Sequence, residues 1–310
     1  MSRRGVITVA VTTAALVLAA AGCGGGDGGG GGTITADGSS TVGPFTTKAA
    51  EDFREVNEEA QITVGISGTG GGFERFCIGE TDISNASRAI KDEEAAMCEE
   101  NGVEYVELQV VVDALTNVVN TQNDWATCLT TDQLRAIWEP GSKVKSWSQI
   151  DPSFPDVPLR LFGPGTDSGT FDYFTDEING EEGASRTDYS PSEDDNVVVQ
   201  GVAGEQGGLG YFGFTYFEEN QDRLKALEVD GGNGCVAPGI DTAQDGSYTP
   251  LARPLFIYVS QSSLGESETL REFVRFALEN AQTIAEEAQY VPMSQQQIDE
   301  ELQKFEDAVA

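Results

Sequence analysis

The stretch LRLFGPGTDSGTFDYF (residues 159–174) joins an apolar, strand-like segment to an aromatic, helix-like one through a loop of Gly, Pro, Thr, Asp and Ser. A helix starting at such a loop presents unpaired N–H groups and the positive end of its dipole, which makes the junction a potential anion site. Ser and Thr add hydroxyl donors there, and Gly lets the backbone approach a ligand closely. Because Ser, Thr and Asp are also the preferred helix N-caps, one such junction says little by itself.

The same plan occurs twice more upstream. TITADGSSTVGPFTTKAAEDF (33–53) passes from a short strand, bending at Asp37-Gly38, into a helix. Its apolar residues Val42, Phe45, Ala49, Phe53, Val56 and Ala60 recur at intervals of three and four. QITVGISGTGGGFERFC (61–77) reads as an alternating strand from Gln61 to Ile66, a loop from Ser67 to Gly72 and a helix from Phe73. Three hydroxyl-rich junctions in one chain favour binding over capping alone. Strands alternating with helices predict an α/β architecture with largely parallel sheets.

Further out, YVELQVVVDALTNVVN (105–120) and ARPLFIYVSQ (252–261) read as strands buried on both faces. TTDQLRAIWEPG (130–141) is a short helix between a Thr start and a Pro-Gly stop. From Thr269 onward, Leu270, Phe273, Val274, Ala277, Leu278, Ala281 and Ile284 share one helix face, with an interruption near Tyr290–Pro292 and a resumption toward Phe305. GLGYFG (208–213) matches the dinucleotide fingerprint, yet the FTYF behind it reads as strand where that motif requires a helix. It is taken as a chance match in a chain with 37 glycines.

Charge narrows the partners. In 310 residues, 52 Asp and Glu oppose 18 Lys and Arg, a net charge of −34 spread along the chain. Such a chain repels nucleic acid and anionic lipid and suits a salty milieu that screens self-repulsion. An anion site in it is best built from neutral donors. There is no histidine, which removes Ser-His-Asp and Cys-His nucleophilic systems and the commonest general base. A binding protein without a cofactor is therefore expected ahead of an enzyme.

Arg3 and Arg4 precede an apolar run from Gly5 to Ala21, so residues 1–22 read as a signal peptide. Cys23, behind small residues and ahead of glycine, resembles a bacterial lipoprotein cleavage site and is the expected lipidation position. Gly24–Gly32, interrupted only by Asp27, then forms a flexible tether, residues 23–32 together making leash and anchor. The expected location is the outer face of the cytoplasmic membrane, cell surface or periplasm, with the lipid as the only membrane contact. Cleavage would leave 16 basic against 52 acidic residues, or −36. In an oxidising compartment Cys77, Cys98, Cys128 and Cys235 favour disulfides over metal ligation, with no Cys-x-x-Cys spacing and no histidine to suggest zinc. Of the three pairings, Cys77–Cys98 closes a local loop and leaves Cys128–Cys235.

ITADGSSTVGPF, ISGTGGGFERFCIGETDISNASRAIKDEE and FGPGTDSGTFDYF, in this order, resemble the PstS family, the phosphate-binding lipoproteins of bacterial ABC phosphate importers. The likeness runs from about Thr33 to Pro292. It implies a two-lobe periplasmic-binding-protein architecture, class II-like, with a mixed, largely parallel sheet in each lobe and two hinge strands. Lobe 1 would comprise 33–112 plus 254–310 and lobe 2 would comprise 113–253, with the C-terminal helices packed on the N-terminal lobe. It further implies a monomer that captures inorganic phosphate in the cleft and delivers it to ABC permease subunits.

Carried over residue by residue, the resemblance places Ser40 and Thr41 at the first junction, Ser67, Gly68 and Thr69 at the second, and Ser168, Gly169 and Thr170 at the third. Two positions depart from the family pattern: where an acid and an arginine are usual, this chain has Arg88 and Pro164. Arg88 and Asp167 are read as relocated equivalents. A guanidinium can grip two phosphate oxygens, and a carboxylate can accept the proton that hydrogen phosphate retains and sulfate lacks. Asp82 is expected to order its turn or pair with Arg88. Other readings keep the fold and change the anion to sulfate or molybdate, or make the scaffold an exported phosphohydrolase or adhesin.

Overall fold

Residues 32–166 and 168–310 are described in a computed structural model. Strand β1 (Thr33–Gly38) lies parallel to both β2 (Gln61–Val64) and β3 (Ile83–Ala86). Each of the three leads into a helix: α1 (Gly43–Val56), α2 (Gly68–Phe76) and α3 (Asp92–Glu100). The chain then crosses the molecule in one 16-residue strand, β4 (Tyr105–Asn120).

Beyond it come β5 (Cys128–Thr130), α4 (Thr131–Trp138), β6 (Arg160–Gly163), α5 (Gly169–Phe174), β7 (Ser190–Pro191) and α6 (Asp195–Gly204). These are followed by β8 (Gly208–Gly213), α7 (Phe214–Glu219), β9 (Leu224–Ala226), β10 (Glu228–Asp230), β11 (Cys235–Val236) and α8 (Ile240–Gln244). β12 (Ala252–Ser260) returns the chain, and α9 (Gln261–Glu266), α10 (Glu268–Glu279), α11 (Ala281–Glu287) and α12 (Gln295–Val309) end it.

The main sheet has the order β2-β1-β3-β12-β4-β8-β6-β7, with β9 also on β4, and a small second sheet has the order β11-β10-β5. β4 pairs antiparallel with β12 over Tyr105–Ala114 and then with β8 over Leu115–Val119. The sheet is thus mixed. The strand pairs beside the junctions are parallel, whereas the pairs made by the two crossing strands are antiparallel.

Two hydrophobic cores flank the crossing. The first gathers Ile34, Phe45, Phe53 and Leu108 with Leu255, Phe273, Leu278 and Phe305. The last helices therefore pack on the first, with the Phe53 and Phe273 ring centroids 5.6 Å apart. The second core gathers Leu115, Trp138, Trp147, Phe174, Leu209 and Tyr211. Cys77–Cys98 and Cys128–Cys235 are both disulfide-bonded. Among the described residues no helix is long and apolar enough to cross a membrane.

Several expectations change. α1 stops at Val56 with Asn57 extended, so Ala60 is buried but lies outside the helix. The C-terminal run breaks at Asn280 as well as before Pro292. α2 begins at Gly68, five residues before Phe73, so the expected loop is its first turn. FTYF opens helix α7 and is not a strand. The glycines of GLGYFG belong to β8 itself, where a Cβ on Gly210 would come within 2.8 Å of Val202 on α6. Close packing of α6 on the sheet accounts for that glycine; no phosphate loop is involved.

Candidate functional site

The three junctions meet. Gly38 lies at φ +136°, in the left-handed region, where a Cβ would stand 2.2 Å from the Asn85 carbonyl oxygen. The next residue donates from its N–H to that oxygen at 2.9 Å, and the Ser67 N–H donates to the Gly38 carbonyl at 3.1 Å. Buried Asp37 accepts from the Gly38 N–H at 2.7 Å and from Arg75 at 2.5 Å. The first two loops are thereby clasped together below their helices.

Gly68, at φ +77°, starts α2. Thr69 Oγ1 lies 3.0 Å from Ser87 Oγ and accepts from the Ser87 N–H at 3.2 Å. On the other side, Ser168 caps α5 by accepting from the Thr170 N–H at 3.2 Å. The two sides touch at Gly169, where a Cβ would lie 2.7 Å from Thr41 Oγ1 and 3.3 Å from Thr41 Cα.

Beside this contact is a cavity of about 370 Å³, a size suited to a small ligand. Ser39, Ser40, Thr41, Gly68, Thr69 and Gly70 line it from the first two junctions, and Ser87, Arg88 and Lys91 from the segment after β3. Asp172, Tyr173, Asp176, Glu177 and Glu182 face them from the α5 side. Of the expected residues, Ser40, Thr41, Gly68, Thr69 and Arg88 therefore line the cavity. Ser67, Ser168, Gly169 and Thr170 stand at the helix starts around it without lining it. Asp167 and Cys23 lie outside the described residues.

Arg88 has a partner that was not anticipated: its guanidinium makes two 2.8 Å hydrogen bonds to the carboxylate of Glu94. Asp82 is not that partner, because its carboxylate accepts from the Thr35 N–H at 2.9 Å and so ties β3 to β1. The Glu94 carboxylate holds the guanidinium charged and oriented across the cavity edge.

Sequence reasoning missed Arg253. It lies on β12 directly opposite Asp113 of β4, with Nη2 3.5 Å from Asp113 Oδ2 and 3.3 Å from Thr41 Oγ1. Its guanidinium carbon stands 3.4 Å from the Tyr173 ring centroid, a cation–π contact. The Tyr173 hydroxyl donates to the Pro250 carbonyl at 2.5 Å. Among the described residues the buried Arg253 Nε has no hydrogen-bond partner, nor does Asp113 Oδ2 at its 3.5 Å separation. Burial raises the Asp113 carboxyl above the ordinary carboxylate range, and Arg253 opposes that rise. The available signal was an acid inside VVVDAL and an arginine inside ARPLF, since charges in continuous apolar runs are costly unless used.

Electrostatically the cavity is divided. Arg88, Lys91 and Arg253 bring positive charge, whereas the facing wall is acidic. Burial and the neighbouring Glu182 push the Asp172 carboxyl up, and burial and Asp176 do the same to Glu177 against the pull of Arg253. Hydroxyls, helix-start amides and a partly buried guanidinium can hold a small oxyanion, and the half-buried Asp172 carboxyl beside it can accept a proton.

Known proteins place this arrangement. The PBP superfamily domain model matches residues 25–281. Protein SphX of Synechococcus elongatus is 49% identical over 263 residues, covering 84% of this chain and 77% of its own. The phosphate-binding protein PstS of Staphylococcus saprophyticus is 38% identical, covering 89% and 85%. The crystal structure of a possible phosphate binding protein from Planctomyces limnophilus superposes with a TM-score of 0.86 at 45% identity, covering 90% of this chain and 99% of the other.

Proposed function

We propose, since this chain belongs to the PstS family of phosphate-binding proteins within the PBP superfamily, that it captures inorganic phosphate in the cavity between its two cores and hands it to the permease of an ABC importer. The observation that carries this reading is Arg253. A partly buried guanidinium, whose buried Nε has no hydrogen-bond partner among the described residues, sits where Thr41 of one side, Tyr173 of the other and both crossing strands converge. A dianion is the natural counterpart for such a group among helix starts.

In this reading Arg253 is the main cationic ligand, and Arg88, shared with Glu94, adds charge at the rim. Ser40, Thr41, Thr69, Ser168 and Thr170 supply donors, and Asp167 accepts the ligand proton. Residues 33–112 with 254–310 form one lobe and 113–253 the other, joined by β4 and β12 as hinges. The protein works as a monomer on the outer face of the cytoplasmic membrane, held by a lipid on Cys23.

Calorimetric titration of the ligand-stripped protein with phosphate and with sulfate, at molar salt and neutral pH, tests this. Phosphate is expected to bind while sulfate is ignored, and Asp167→Asn should admit sulfate. Arg253→Ala should weaken phosphate binding about 10- to 100-fold, the worth of one charged hydrogen bond. Indifference to phosphate, or equal affinity for sulfate, would sink the reading.

A further inference from the structure

We propose that the Cys77–Cys98 disulfide is a positioning element of the anion site, fixing both the helix whose first turn lines the cavity and the side chain that holds Arg88; this rests on the phosphate reading above. The first turn of α2, Gly68-Thr69-Gly70-Gly71-Gly72, contains four glycines. Glycine is the poorest helix former after proline, so this turn does not hold its own direction. Its anchors come from elsewhere. At one end Thr69 is bonded to Ser87. At the other, Cys77 caps the helix and is joined to Cys98 of α3.

Both anchors belong to a single covalent loop. The 21-residue separation between Cys77 and Cys98 encloses β3 and, after it, Ser87, Arg88 and Lys91, all three at the cavity. Both cysteines are fully buried, packed with Phe73, Phe76, Ala86 and Tyr258. The Cys77 sulfur lies 3.4 Å from the carbonyl oxygen of Glu94, whose carboxylate grips Arg88 and accepts from the Lys91 N–H at 2.9 Å. One covalent link thus sets the direction of α2, the seat of α3 and, through Glu94, the pose of Arg88.

The second disulfide provides the contrast. Cys128–Cys235 ties β5 to β11 in the small sheet, across a separation of 107 residues, and neither cysteine lines the cavity. In the chain-entropy account a longer closed loop contributes more stability. The two bonds should therefore rank oppositely in stability and in affinity, which a merely structural role for both would not produce.

The test compares Cys77→Ala/Cys98→Ala with Cys128→Ala/Cys235→Ala by melting temperature, phosphate titration and amide exchange. The first pair is expected to weaken phosphate binding about tenfold, as loss of a supporting partner does at other sites, and to speed exchange at residues 67–72 in the unliganded protein. The second should lower the melting temperature more and leave the phosphate Kd alone. Unchanged affinity in the first variant, or affinity lost in proportion to melting temperature in both, overturns the inference. If the wild type ignores phosphate, the functional reading fails, and exchange at 67–72 still decides the positioning role. Should the first variant not fold, Cys77→Val/Cys98→Ala, which refills part of the lost volume in the same buried cluster, decides by the same readouts: weaker phosphate binding with faster exchange at 67–72 supports the inference, and unchanged binding overturns it.

Discussion

Gly169 has room for a hydrogen and nothing larger, because any Cβ would press on the backbone and hydroxyl of Thr41 across the cleft. Gly169→Ala should act as a wedge between the two sides. Phosphate affinity is expected to fall while the unliganded melting temperature stays put, which titration and calorimetry on one sample can check. Asp195 makes a different case. Burial, then Asp194 and Glu193, push its carboxyl from 3.8 to about 6. With the folded value above the unfolded one, its contribution to stability is fully present below pH 3.8 and is lost as pH rises through about 6. Asp195→Asn should therefore raise the melting temperature at pH 8, and the gain should vanish at pH 4. At the same scale, Arg253 and Asp113 were visible in the sequence only as two charges in apolar runs. They lie far apart in the chain, and the register of β12 on β4 alone sets them opposite each other.

Among the elements, α10 was the most legible, because its buried residues Leu270, Phe273, Val274, Ala277 and Leu278 follow the helical period without exception. Its Phe273 meets Phe53 of α1, so Phe273→Ala should cost about 3–5 kcal/mol in chemical denaturation. A loss below 1 kcal/mol would mean that the C-terminal helices are not integral to the first core. The elements misread were those in which local preference lost to tertiary contacts. α2 contains a glycine run that looks like a loop, yet bonds from Gly38 and Ser87 pin its start. α7 begins with aromatic residues that favour strands, but packs as a helix after β8, with Phe214 buried.

The whole molecule carries −34 in 310 residues, with repulsion distributed over the fold. Raising salt from about 0.1 M to about 1 M shortens the screening length from about 10 Å to about 3 Å. The melting temperature should rise over that range and do so less steeply in a variant with a dozen surface acids made neutral. A flat response would show that acidity bears on solubility and not on stability. The alternation of strands, junctions and helices disclosed the class of fold, and the family resemblance added five of the cavity's residues, Arg88 among them. It could not disclose that one strand serves both cores, because a long apolar run reads the same whether it pairs with one partner or with two in succession.

That shared strand has a temporal consequence. The second core, from Leu115 to Leu251, is a closed insertion whose ends are joined by a 2.8 Å hydrogen bond between the Leu115 N–H and the Leu251 carbonyl. The first core needs β12 between β3 and β4, and then α10 to α12 over α1. A ribosome therefore releases every residue of the second core before the first can close. The N-terminal strands wait with open edges for about the last fifth of the chain, from β12 onward, and whatever handles the nascent polypeptide must protect its beginning until its end arrives.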